Sequence, residues 1–88
     1  MDEYETTDLC LMAVLANFGY HPKRMERATS NPRQVVSTYD LTLEVEETIN
    51  KFWRGELLVE PSKFFGTLSM VKTRIYNCLG RSNYGSIR

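Results

Sequence analysis

Gln34-Val35-Val36-Ser37-Thr38-Tyr39-Asp40-Leu41-Thr42-Leu43-Glu44-Val45-Glu46-Glu47-Thr48-Ile49-Asn50-Lys51-Phe52-Trp53-Arg54-Gly55 changes its period halfway along. Up to Asp40 the stretch is rich in Val, Thr and Tyr, residues that fit a pleated, half-buried surface, and it reads as a strand. From Leu41-Thr42 onward Val45, Ile49, Phe52 and Trp53 recur at i, i+4, i+7 and i+8, while Glu44, Glu46, Glu47 and Lys51 take other directions. That is the stripe of an amphipathic helix. Thr42 is its expected cap, the glutamates suit its positive N-terminal half, Lys51 and Arg54 suit its last turn, and Gly55 ends it. A strand running straight into such a helix predicts an α+β domain.

Working outward, residues 20–28 are polar and carry Pro22 near their start, as an edge strand does. They are joined to residues 34–40 through Thr29-Ser30-Asn31-Pro32-Arg33, so a β-hairpin is expected, with Lys23, Arg24 and Arg27 discouraging stray strand pairing. Upstream, Thr6-Thr7-Asp8 precedes the apolar run Leu9 to Ala16, and Gly19 offers a left-handed stop, predicting a helix over about 8–18. Its apolar positions run almost all round the cylinder, which suits a central helix covered on several sides. Downstream, Leu57-Leu58-Val59 reads as a short third strand, and Pro61 suits the first position of a further helix. That helix carries Phe64, Leu68, Val71, Ile75 and Leu79 on one stripe, Phe65 and Tyr76 beside it, and Gly80 at its end. Gly66 inside it is expected to mark a close backbone approach.

The expected architecture is a small single domain over residues 1–88 in the order α-β-β-α-α, a β-hairpin packed against three helices. The first and third helices are expected to supply most of the core, and residues 1–5 and 81–88 are read as flexible ends. At 88 residues the chain buries too little surface for two cores, and with 42 % apolar residues it has enough for one.

Net charge is zero, but the charges lie in blocks: −4 over residues 1–8, +3 over 21–39, −4 over 40–60, and five cations without an acid over 61–88. Attraction between these blocks across the folded domain is the first expectation, and a binding face is the alternative. Cys10 and Cys78 sit in apolar helical patterns and read as buried thiols in a reducing, cytoplasmic setting. The apolar run of the first helix is far too short to span a bilayer, so no membrane association is expected.

No enzyme signature stands out. There is no phosphate-cradling glycine loop, nucleophile elbow, HExxH or paired-cysteine metal motif, so neither catalysis nor a cofactor or metal is expected. His21 adjoins Pro22 without a nucleophile or orienting acid nearby and reads as a surface histidine. Glu44, Glu46 and Glu47 read as a solvated face, because positions two apart on a helix point apart. Phe52-Trp53 and Phe64-Phe65 bracket the Gly55 turn and are expected to meet as one cluster. The functional alternative leaves Trp53 partly exposed beside Arg54 as a contact anchor. Lys72, Arg74 and Tyr76 form a basic and aromatic set, in which Lys72 and Tyr76 share a helix face and Arg74 points elsewhere.

Thr6-Thr7-Asp8-Leu9, Val35-Val36, Phe52-Trp53-Arg54-Gly55-Glu56, Val59-Glu60-Pro61, Phe64-Phe65 and Lys72-Thr73-Arg74-Ile75-Tyr76, taken in this order, resemble a family of small uncharacterised proteins. It is a domain of unknown function of bacteria, archaea and their viruses. The resemblance covers roughly residues 6–79 and is most specific in the Phe-Trp-x-Gly-Glu element followed by Val-acid-Pro. It implies a cytosolic α+β domain, often encoded by phage or mobile elements, and supplies no catalytic residue.

The function expected from these observations together is a non-catalytic accessory module of a phage or mobile element that acts through a protein partner. The expected contact residues are Trp53, Arg54, Lys72, Arg74 and Tyr76. Nucleic-acid binding through the basic C-terminal third is the alternative.

Overall fold

The computed structural model of the protein describes residues 2–80. The elements are β1 (Glu3–Thr6), α1 (Leu9–Asn17), β2 (Arg24–Arg27), β3 (Val35–Asp40), α2 (Leu43–Arg54) and α3 (Pro61–Cys78). The three strands form one antiparallel sheet in the order β1-β3-β2. The α+β class and the helix, hairpin, helix, helix order expected from the sequence hold, with a strand added in front.

That strand lies where a flexible end was expected. Glu3 pairs with Asp40, Tyr4 with Tyr39, Glu5 with Thr38 and Thr6 with Ser37, which makes β3 the central strand. The third strand is thus β1, and Leu57 to Val59 is irregular chain. Residues 81–88, the other expected flexible end, lie outside the described residues.

Local chemistry sets the helix ends. The Asp8 carboxylate accepts the Leu11 N–H at 3.0 Å, the Thr42 hydroxyl accepts the Val45 N–H at 3.2 Å, and the Glu60 carboxylate accepts the N–H groups of Ser62 and Lys63 at 3.1 and 2.7 Å. Each satisfies donors that have no partner inside the helix. Gly55 closes α2 at φ 69°, a left-handed conformation that costs glycine little.

Helix α1 is the common element of the core. Its Leu11 and Leu15 pack with Tyr39 of β3 and with Val45 and Ile49 of α2, and Tyr4, Tyr20, Leu41 and Phe52 lie around them. On another side Met12 and Ala13 pack with Val71 of α3, flanked by Phe64, Leu68 and Ile75. A helix enclosed in this way has no room for a polar face, hence its near-continuous apolar sequence. The core does differ from expectation in one respect, because Val71 is the only buried residue of α3. The nine residues of α1 span about 14 Å and the eighteen of α3 about 27 Å, so much of α3 has no helix beneath it.

Two further expectations are corrected. Cys10 is exposed, on the side of α1 turned to solvent, and Cys78, at the end of α3, is half-buried. Gly66 is exposed, and a Cβ placed on it meets nothing within 4 Å, so it marks no close approach.

Side chains alternate across β3. Val35, Ser37 and Tyr39 are buried, and the Ser37 hydroxyl donates to the Met12 sulfur at 3.2 Å. On the opposite face Thr38 stands between Glu5 and Arg24 in register and is 1 % exposed. The long charged neighbours cover it.

Candidate functional site

The charge blocks meet on that outer face of the sheet. Glu3 is paired with both Lys23 and Arg24, the latter at 3.2 Å, and Lys23 reaches Asp40 at 3.0 Å. Hydrogen bonds from Lys23 and then Arg24 hold the Glu3 carboxyl below its usual range, and Glu3 and Asp40 raise Lys23. Glu3 of the N-terminal block and Asp40 thus pair with two cations of the basic hairpin, Lys23 and Arg24. Arg27 is engaged as well, since its guanidinium donates to the Leu79 carbonyl at 3.0 Å.

The five residues singled out from the sequence do not converge on one spot. Trp53, on the last turn of α2, is 59 % exposed, its ring edge-on to Phe52 with centroids 4.9 Å apart. Arg54 beside it binds Glu56 at 3.0 Å, a bond that raises the Arg54 pKa and lowers that of Glu56. On α3, Lys72 and Tyr76 lie one turn apart on the same side and both are exposed. Arg74 points away from them. It lines a narrow crevice with His21, Met25, Ser37, Tyr39 and Val71, and its charge acts on the buried Tyr39 phenol.

The single aromatic cluster expected around Gly55 does not form. Phe52 packs into the cluster shared by α1, β3 and α2, and Phe64 into the one shared by α1 and α3. Successive helical residues point about 100° apart, so each inward phenylalanine turns its neighbour outward: Trp53 at 59 % exposure and Phe65 at 74 %. Leu43 on α2 and Leu58 in the connection are also exposed.

Leu43, Leu58 and Phe65 are not among the contact residues expected from the sequence. For Phe65 a signal existed, because Phe65, Ser69, Lys72 and Tyr76 recur at i, i+4, i+7 and i+11 and form one row along α3. All four are exposed. Assigning Phe65 to the core hid that row.

Among the described residues no group of three or more His, Cys, Asp or Glu is placed to hold a metal ion, and no helix is long and apolar enough to cross a membrane. The crevice lined by Met12, Ala16, Tyr39 and Arg74 among others has a volume of about 10 Å³, on the scale of one water molecule.

A three-stranded sheet and two helices around a central α1, with apolar side chains turned outward on α2, the connection and α3, define a small α+β domain with candidate contact surfaces. Residues 1–77 match a family model, and the chain belongs to that family, the domain of unknown function DUF5659. No curated protein and no solved structure matches the chain.

Proposed function

We propose that this domain is a non-catalytic accessory module of a phage or mobile element that works in the cytoplasm by binding another protein. The observation that carries the reading is the exposure of Leu43, Trp53, Leu58, Phe65 and Tyr76, each more than half open to solvent. Scattered apolar side chains are ordinary on a surface, but rigid aromatics on helices are the side chains that dominate protein contacts. Arg54 beside Trp53, and Lys72 beside Tyr76, supply the polar partners such contacts use. The free thiols, one of them exposed, suit a reducing compartment.

The distribution of cations weighs against nucleic acid. Lys23 and Arg24 are held by acids, Arg54 by Glu56, and on α3 Lys72 lies across the helix from Lys63 and Arg74, so the described residues of α3 form no continuous basic stripe.

Affinity capture from the host cell tests the reading, with nuclease-treated and untreated lysates and with the Trp53→Ala and Phe65→Ala variants as baits. The expected result is a protein retained after nuclease and lost from one or both variants. Recovery of nucleic acid instead, lost from a Lys72→Ala/Arg74→Ala bait, overturns it.

A further inference from the structure

We propose that the outer face of α2 docks onto the Phe65–Tyr76 row of α3 in a second copy of this chain. The proposal rests on the protein-binding reading and names one protein that is bound. Opposite its buried face, α2 presents Leu43, Glu47, Asn50 and Arg54, with Glu44 and Glu46 alongside, and these six line an open groove. Leu43 is 82 % exposed. Helix α3 presents Phe65, Ser69, Lys72 and Tyr76.

Both rows advance by four, three and four residues, so each covers about 17 Å and the two can lie side by side in register. Set antiparallel, Leu43 faces Tyr76, Glu47 faces Lys72, Asn50 faces Ser69, and Arg54 faces Phe65. These are an apolar contact, an ion pair, a polar contact and a cation over an aromatic ring. Charge complementarity selects this occupant. The outer face of α2 holds three glutamates, whereas the α3 row holds Lys72 and no acid, so two α3 rows set like charges against each other. The antiparallel arrangement also sets the helix dipoles favourably. Among the described residues neither row packs on another helix or strand, Arg54 alone being paired, with Glu56, while the opposite faces of α2 and α3 pack on α1.

Three turns of helix give less contact than the roughly 800 Å² per partner of a stable interface, so the association is weak. Because the two faces differ, the contact closes as a reciprocal pair or extends as a chain, and either outcome supports it.

Sedimentation velocity on the full chain from about 10 μM to 1 mM tests the proposal, with wild type, Glu47→Lys, Lys72→Glu and the double exchange. Both sites are exposed, and circular dichroism verifies that each variant is folded. The expected result is a sedimentation coefficient that rises with concentration in the wild type, about fivefold or more weaker association in each single variant, and recovery in the double exchange. Phe65→Ala weakens association by about tenfold. Association equal in the wild type and all three charge variants overturns the proposal, as does a wild type that stays monomeric throughout. A monomer that binds a 20-base-pair duplex through Lys72 assigns the row to nucleic acid. A monomer that does not, while capture still yields a protein, leaves the protein-binding reading intact without self-docking.

Discussion

The Ser37 hydroxyl of the central strand donates to the thioether sulfur of Met12 on α1 at 3.2 Å, with both residues at most 2 % exposed. A thioether is a weak acceptor, and the consequences of removing each partner are unequal. Ser37→Ala removes the donor along with its need and is expected to be nearly neutral. Met12→Leu leaves a buried hydroxyl unpaired and is expected to cost about 1–3 kcal/mol. In the Ser37→Ala background the Met12→Leu cost should shrink, and a double-mutant cycle by urea denaturation measures it.

Glycine 66 sits exposed in α3 at ordinary helical φ, with open space where a Cβ would go. Gly66→Ala is therefore expected to stabilise the domain by about 0.5–1 kcal/mol, through a less disordered unfolded chain and better helix propensity. A rise in the thermal midpoint verifies it, and a fall would place something against that position.

Within the core, Leu15→Ala is expected to cost about 2–5 kcal/mol, since Leu15 is wholly buried between α1, β3 and α2. Ile75→Ala should cost less, because Ile75 is half-buried on the overhanging α3. The two denaturation midpoints compared with wild type give the order directly.

Stability should fall at both pH extremes for separate reasons. Glu3 is held below its usual pKa by Lys23 and Arg24, so its contribution is present above the unfolded value of 4.5 and is lost as the pH falls through the folded value. Glu3→Gln should flatten that acid limb. Burial pushes the Tyr39 phenol up to about 12, so its contribution is complete below the unfolded value of 10.0 and disappears as the pH rises toward 12. Tyr39→Phe should flatten the alkaline limb, as followed by denaturation at each pH.

Cys10 is exposed, whereas Cys78 is half-buried with its thiol donating to the Met25 carbonyl at 3.4 Å. Under native conditions Cys10 should react with a thiol reagent faster than Cys78, and the two should approach equal rates in denaturant. Peptide mapping by mass spectrometry after timed labelling distinguishes the sites. The Cys78 contact also lies on an exposed edge: bonded pairing alternates along β2, and the bond from the Ala28 N–H to the Gln34 carbonyl turns the Met25 carbonyl away from β3. The end of α3 thus meets one of the two edges of the sheet.

Signals confined to one helix were legible. Thr42 and Gly55 bound α2, Pro61 opens α3, and the uninterrupted apolar run of α1 announces a helix covered on several sides. What escaped depends on distant partners. Glu3-Tyr4-Glu5-Thr6 has one large apolar residue and becomes a strand because β3 offers it a register and Lys23 and Arg24 offer it charge. Phe65 beside Phe64 predicts a core pair by residue type, and its exposure follows from its direction, about 100° round the helix from the inward Phe64. The contact residues were legible as types rather than as a site: Lys72 and Tyr76 share a row as their spacing requires, Arg74 turns to Tyr39, and nothing in the local pattern indicates that α2 and α3 carry separate surfaces.

Whether the domain recognises protein rather than nucleic acid is tested most directly by the anisotropy of labelled duplex and single-stranded oligonucleotides titrated with the full chain from 50 to 300 mM salt. The account predicts weak association at physiological salt, with Lys72→Ala/Arg74→Ala changing little. Tight binding that declines steeply with salt, its slope of log affinity against log salt flattened by up to about 1.8 for duplex DNA in the double variant, would contradict it.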